Sequence, residues 1–313
     1  MITVSKDNTG DYSTIQDAIN AVKATPETIK IKNGVYHERI EVTTPGITFE
    51  GEDPEKTILT FGYYANMLME DGIKRGTFRS YTALFHADHI TVKNMTIENS
   101  SGFGTKVGQA VAVYAEGDDQ TFSNCRFLGH QDTLFTGPLP LSEKQKGGFV
   151  GPTEFAERRH TRQLYENCYI CGEVDFIFGS ATAYFDHCTL YALNRNEKIN
   201  SFYTAPSTYE GQKYGYVFHD CTLTGNCPKG TVMLSRPWRE HAKAVFLNCD
   251  ISDQVATEGY HDWNKPEAHT CTFYGEFQCT GSGADTSGRV DFAHQLTEEE
   301  AKEYTKEKVL ETK

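Results

Sequence analysis

Basic residues are in short supply in this 313-residue chain: 30 lysines and arginines face 43 aspartates and glutamates, a net charge of −13. No basic patch is available to offset phosphate repulsion, which excludes nucleic acid and anionic membrane surfaces as partners. The eleven histidines show no metal-ligand spacing, and no glycine-rich phosphate loop is present, so neither a metal nor a cofactor is expected. No Pro/Ser-rich or like-charge stretch divides the chain, and Gly281-Ser-Gly283 is the nearest thing to a polar spacer. A single domain over residues 1–313, in a monomer, is the expectation. A basic-then-apolar leader is missing too, since the chain opens Met1-Ile-Thr-Val-Ser-Lys6. If Met1 is the native start this places the protein in the cytoplasm; otherwise it reads as a secreted protein without its signal peptide.

Cysteine, by contrast, is plentiful and patterned. A short signature recurs at Lys93-Asn-Met95-Thr-Ile97, Ser123-Asn-Cys125-Arg-Phe127, Glu166-Asn-Cys168-Tyr-Ile170, Asp186-His-Cys188-Thr-Leu190, His219-Asp-Cys221-Thr-Leu223 and Leu247-Asn-Cys249-Asp-Ile251. Each copy reads as a bend entering a short strand, and intervals of 20 to 43 residues suit stacked coils with loops of varying length. Stacking places equivalent residues one above another at about 4.8 Å, so the cysteines should form an interior column of reduced thiols. Cys168 and Cys171 are the one close pair, and Cys168 already belongs to the column, which leaves no second pair for zinc. The predicted fold is all-β, a parallel β-helix.

Helices should close its ends. Ser13-Thr-Ile-Gln16 has the form of a capping box, and Ile15, Ala18, Ile19 and Val22 share one helical face, predicting a capping helix over 13–23. Thr297-Glu-Glu-Glu300 is a second capping box, opening a charged helix over 297–311 that packs on the outside or frays.

Two aspartates carry the chemistry. Asp132 lies in Gln131-Asp-Thr-Leu134, and Asp175 opens the apolar run Phe176-Ile-Phe178, where a carboxylate needs a cationic partner. Arg236, in Leu234-Ser-Arg-Pro-Trp238, is the candidate. These motifs, with Gly34-Val-Tyr-His-Glu38, Gln109-Ala-Val-Ala-Val113, Asn264-Lys-Pro-Glu267 and Thr286-Ser-Gly-Arg-Val290, resemble those of the pectin methylesterases, in family order along nearly the whole chain.

That resemblance implies a right-handed parallel β-helix that hydrolyses the C6 methyl esters of pectin or methylated oligogalacturonides to pectate and methanol. It implies that Asp175 is the nucleophile, Asp132 the general acid and then base, Gln109 and Gln131 the oxyanion donors, and Arg236 the group that orients Asp175. Trp238, Phe176, Phe135 and Tyr260 are the implied sugar contacts. Several positions depart from the family pattern: Ser235 stands for a glycine, His130 for an aromatic, Phe135 for a tyrosine, and Tyr260 lies near a second expected tryptophan. The separation of 43 positions between the two aspartates is about double the family's spacing. The excess, over 137–158, is either a tolerated surface loop or a flap on the substrate groove with Phe149, Phe155, Arg158 and Arg159 as contacts. The overall negative charge predicts a preference for highly methylated chains. The alternatives are an esterase or thioesterase for a different ester, a pectate lyase or polygalacturonase on the same solenoid, and a carbohydrate-binding solenoid without catalysis.

Overall fold

The computed structural model describes residues 1–311. Among these residues the strands form three parallel sheets, of eleven, eight and seven strands, that wind coil by coil along the chain. One coil shows the plan. Gln120–Ser123 lies in the first sheet, Arg126–Leu128 in the second and Leu134–Thr136 in the third.

The recurring signature is the corner between the first two sheets. Asn94, Asn124, Asn167, His187, Asp220, Asn248 and Gln278 all take φ between 49° and 55°. Asn and Asp tolerate this left-handed region, where a β-branched residue is strained, which explains the polar residue at that place in nearly every copy. The residue after it turns inward. Cys125, Cys168, Cys188, Cys221 and Cys249 are buried to within about one per cent. Each thiol faces a carbonyl of the coil before: those of Val92, Phe122, Tyr165, Phe185 and Phe218, at 3.4–3.5 Å. A small apolar side chain with a weak donor suits that place. Cys279 repeats the contact with Phe246 at 3.5 Å and extends the column beyond the six copies legible in the sequence. Beside it Phe122, Tyr165, Phe185, Phe218 and Phe246 stack ring on ring, with centroids 4.5–5.0 Å apart.

Both ends depart from expectation. The first helix is shorter, Ile15–Asn20, and its N-cap is Thr14 rather than Ser13. The Glu38 carboxylate, far along the chain, accepts from the backbone N–H groups of Ile15 and Gln16 at 2.9 and 3.0 Å, so Gln16 is not needed to complete a local box. Ile15, Ala18 and Ile19 are buried against the first coil, while Val22 lies past the helix end. The single helix expected over 297–311 is instead broken in two. Glu298–Ala301 runs into a tight turn over Lys302–Tyr304, and extended Thr305 then caps Lys306–Leu310. The break lets Tyr304, Val309 and Leu310 seat together on Tyr184, Val217 and Val245 of the first sheet. Lys306 locks the seat by bridging Glu166 and Asp186, both at 2.9 Å. The Thr297–Glu300 capping box forms as read from the sequence.

Near the last coils the Arg289 guanidinium pairs with Glu276 through Nε–Oε1 at 2.8 Å, with both side chains under 5% exposed (4% and 1%). Tyr260 Oη donates to the same Oε1 at 3.1 Å. Removing one partner strands a buried charge, so Arg289→Met is expected to cost about 3–5 kcal/mol in urea unfolding, most of it recovered by adding Glu276→Gln. A loss under about 1 kcal/mol would show that water reaches the pair.

Candidate active site

Parallel register builds the site's floor. Leu84, Tyr114, Phe135, Phe178 and Ala205 are successive partners across the third sheet, and all are buried. Asp132 and Asp175 each stand two residues before a paired strand position, Leu134 and Ile177. The two carboxyls therefore rise from neighbouring coils whose backbones run about 4.8 Å apart. Both aspartates have left-handed backbone, φ 64° and 52°, a conformation that Asp accepts more readily than most residues.

Charge separates their roles. Arg236 follows the strand Val232–Ser235 and reaches back to clasp Asp175, with Nε–Oδ1 2.7 Å and Nη2–Oδ2 2.6 Å. Its guanidinium lies between the rings of Phe202 at 4.0 Å and Trp263 at 3.7 Å. Such a planar two-point clasp fixes the carboxylate's orientation. Among the described residues Asp132 has no such partner. Burial first, and then the neighbouring Asp175 charge, push its carboxyl well above the usual range, against the weaker opposite pull of Arg236. One carboxyl is thus pushed toward its protonated form beside another that is paired with a cation.

Gln109 and Gln131 line the same groove. Their coils are adjacent, since the Ala110 N–H donates to the Gln131 carbonyl at 3.0 Å. Gln109 lies before the strand rather than on it, because the strand of that coil is confined to Val113–Ala115. A glycine holds the neighbouring loop close. A Cβ on Gly104 would approach the Gln131 Cβ to 2.6 Å, and the Gly104 N–H instead donates to the buried Glu173 carboxylate at 2.9 Å. Glu173 also meets His130 Nδ1 at 3.1 Å. No motif in the sequence pointed to this support.

Of the expected sugar contacts, only Trp238 lines the groove. Phe176 is fully buried inside the solenoid, edge-on to Tyr203. The left-handed turn at Asp175 points both Phe176 and Ile177 into the core, so strict in-out alternation fails there. Phe135 does face outward, but Phe78, Phe178 and Trp238 cover it completely. Tyr260 is buried and stacked on Tyr274 at 4.7 Å. Phe78 and Phe178 also line the groove, and so does a tryptophan that the sequence reading missed, Trp263. Its signal was its type, for the chain has two tryptophans.

The groove measures about 750 Å³. The 137–158 segment forms one wall through Lys144, Gln145, Gly148 and Phe149. Phe149 packs on Phe78 and Trp238. The other three expected contacts lie elsewhere: Phe155 is 93% exposed, Arg159 pairs with Asp88, and Arg158 donates to the carbonyls of Pro140, Thr153 and Glu154, tying the segment to itself.

Set in an aromatic-lined groove of a β-solenoid, a carboxyl pushed toward its protonated form beside an arginine-held one suits acid/base and nucleophilic chemistry, and the chain is in the class of carboxylic ester hydrolases. Within that class it belongs to the pectinesterase family, whose model matches residues 1–139 and 156–313. The stretch left unmatched falls inside the segment read from the sequence as an insertion. Pectinesterase 31 of Arabidopsis thaliana is 33% identical over 311 residues, which cover 96% of this chain and 89% of that protein. The chain spans 39% to 51% of four longer relatives from the same plant whose names pair pectinesterase with pectinesterase inhibitor. Among solved structures, pectin methylesterase PemA from Erwinia chrysanthemi superposes with a TM-score of 0.82 at 29% identity, covering 100% of this chain and 97% of that one. The carrot pectin methylesterase gives 0.81 at 29% identity, with 99% and 92% covered. A pectin methylesterase in complex with a hexasaccharide gives 0.83 at 30% identity, covering 100% and 97%.

Proposed function

We propose that this chain hydrolyses the C6 methyl esters of pectin through an acyl-enzyme on Asp175. The observation that carries the reading is the two-point Arg236–Asp175 clasp beside a carboxyl that keeps its proton. An Asp175 oxygen attacks the C6 carbonyl, and the amides of Gln109 and Gln131 donate to the oxyanion that forms. As the tetrahedral intermediate collapses, the C–O bond to the methoxy group breaks and Asp132 gives it a proton, releasing methanol. The product of this half-reaction is a mixed anhydride between Asp175 and the galacturonate. Asp132, now ionised, takes a proton from water, which attacks the anhydride and frees the uronic acid, whose proton then passes to solvent; Asp175 is restored as carboxylate and Asp132 as acid. Trp238 and Trp263 offer apolar faces to sugar rings.

Supplied with highly methylated pectin, the protein should release methanol without new reducing ends and without the near-ultraviolet absorbance of an unsaturated uronide. Either of the last two signals would instead indicate a hydrolase or a lyase of the sugar chain. A folded protein that releases no methanol would refute the assignment.

A further inference from the structure

A buried carboxylate that the reaction does not use ties together the segments that carry its amides. Glu173 lies two residues before Asp175, is 1% exposed and is not part of the groove lining. Its Oε1 meets Nδ1 of His130, the neighbour of Gln131, at 3.1 Å. Its Oε2 accepts from the Gly104 N–H at 2.9 Å, at the head of the short helix Gly104–Val107 that leads to Gln109. Phe103 adds a contact of its own, its ring centroid 4.6 Å from that of His130. The backbone repeats the tie on both sides of Gln131: the Glu173 N–H donates to the His130 carbonyl at 2.8 Å, and the Asp132 N–H to the Val174 carbonyl at 3.1 Å. One residue thus joins the three segments on which Gln109, Gln131 and Asp175 stand.

Gln131 depends on such a tie. Among the described residues its carboxamide makes no hydrogen bond, so packing sets its direction. Gly104 supplies that packing: a Cβ there would come within 2.6 Å of the Gln131 Cβ and 2.8 Å of its Oε1. The glycine is held at this distance by its N–H bond to Glu173. A carboxylate buried so far is costly to keep, and both side-chain contacts it makes adjoin Gln131. Placement matters because an oxyanion donor works by standing ready before the charge develops, and a shift of about 1 Å in a reacting geometry can cost about 10²-fold in rate.

We propose that Glu173 is a positioning residue for the ester hydrolysis: by holding His130 and Gly104 about Gln131, it keeps the Gln131 amide aimed at the place where the oxyanion forms. Resting on the donor role given to Gln131 above, this assigns Glu173 an effect on rate and none on substrate binding. The oxyanion exists only past the ground state, so a misplaced donor weakens the transition state and leaves the bound ester as it was.

The test is a double-mutant cycle on methanol release from methylated pectin, with kcat and KM separated and urea midpoints recorded for every variant. Glu173→Met keeps the length of the side chain and removes both acceptor oxygens. It should lower kcat by about 10- to 100-fold while KM stays within about threefold of wild type. Glu173→Gln should bring kcat back to within about threefold, because its amide oxygen accepts from Gly104 and its NH2 group serves the other His130 tautomer. Gln131→Ala alone should cost about 10²–10³-fold in kcat. Adding Glu173→Met to it should cost less than about threefold more, since no amide is left to misplace. A merely structural loss would instead multiply through both backgrounds. Gly104→Ala serves where Glu173→Met does not fold: it leaves Glu173 in place but crowds Gln131, and its fall in kcat should depend on Gln131 in the same way. Equal losses in the two backgrounds, a change confined to KM, or full activity in Gly104→Ala would overturn the role of Glu173 while Gln131 kept its own. Gln131→Ala with kcat near wild type would instead remove the donor, and the positioning of it would fall as well.

Discussion

Asp175→Asn is expected to lower methanol release by about 10⁴-fold or more, because an amide oxygen cannot form the anhydride through which the ester is exchanged for acid. Asparagine is the informative replacement. It matches aspartate in shape and accepts the left-handed backbone at φ 52° as readily, so the corner before Ile177 need not move. Two groups feel the electrostatic change: Asp132, whose ionisation the Asp175 charge no longer opposes, and Arg236, which would face a neutral amide between Phe202 and Trp263. The arginine side chain is 17% exposed, so solvent and the two ring faces still stabilise part of its charge. Stability should therefore change much less than rate. The measurement is kcat on saturating methylated pectin, with the urea midpoint recorded beside it. Activity within tenfold of wild type would move the nucleophile elsewhere.

What the sequence disclosed and what it hid divide along a physical line. Local stereochemistry was legible: the polar residue at each left-handed corner and the cysteine after it repeat because every coil solves the same turn. Asp175 was legible because an ionisable group at the head of Phe176-Ile-Phe178 demands compensation, and the demand led to Arg236, 61 residues away. Side-chain direction near the corners was not. Phe176 would face the groove if alternation ran through Asp175, yet the turn resets the parity and sends it inside with Ile177. Phe135 fails for another reason. It points outward as alternation requires, but Phe78, arriving from a preceding loop, covers it, and nothing in either local sequence encodes that meeting. Trp263 was hidden likewise, since its place depends on how the segment after the strand at 232–235 folds back over the groove.

Asp132→Asn is expected to trade activity for stability. The folded protein holds the Asp132 proton more tightly than an unfolded chain does, because burial and the Asp175 charge both oppose ionisation. An unfolded aspartate gives up its proton near pH 4. As pH rises above that value the unfolded state gains by ionising, whereas the folded state must stay protonated or ionise at a cost. Asp132 thus destabilises the fold progressively from about pH 4 up to its own raised pKa, beyond which the penalty is constant. Asparagine removes the penalty and keeps the φ of 64°, so the variant should gain roughly 0.5–2 kcal/mol at neutral pH, with the gain vanishing toward pH 4. The same proton is the one methanol takes on leaving. Its loss should cost about 10²–10⁴-fold in kcat, and the fall in wild-type kcat/KM as rising pH ionises Asp132 should be missing from the variant's residual activity. Urea midpoints at pH 4, 6 and 8, set beside pH–rate profiles, test both halves at once. A variant less stable than wild type at pH 8 would mean that Asp132 is ionised in the folded enzyme, and the proton delivered to methanol would then have to come from another group in the groove.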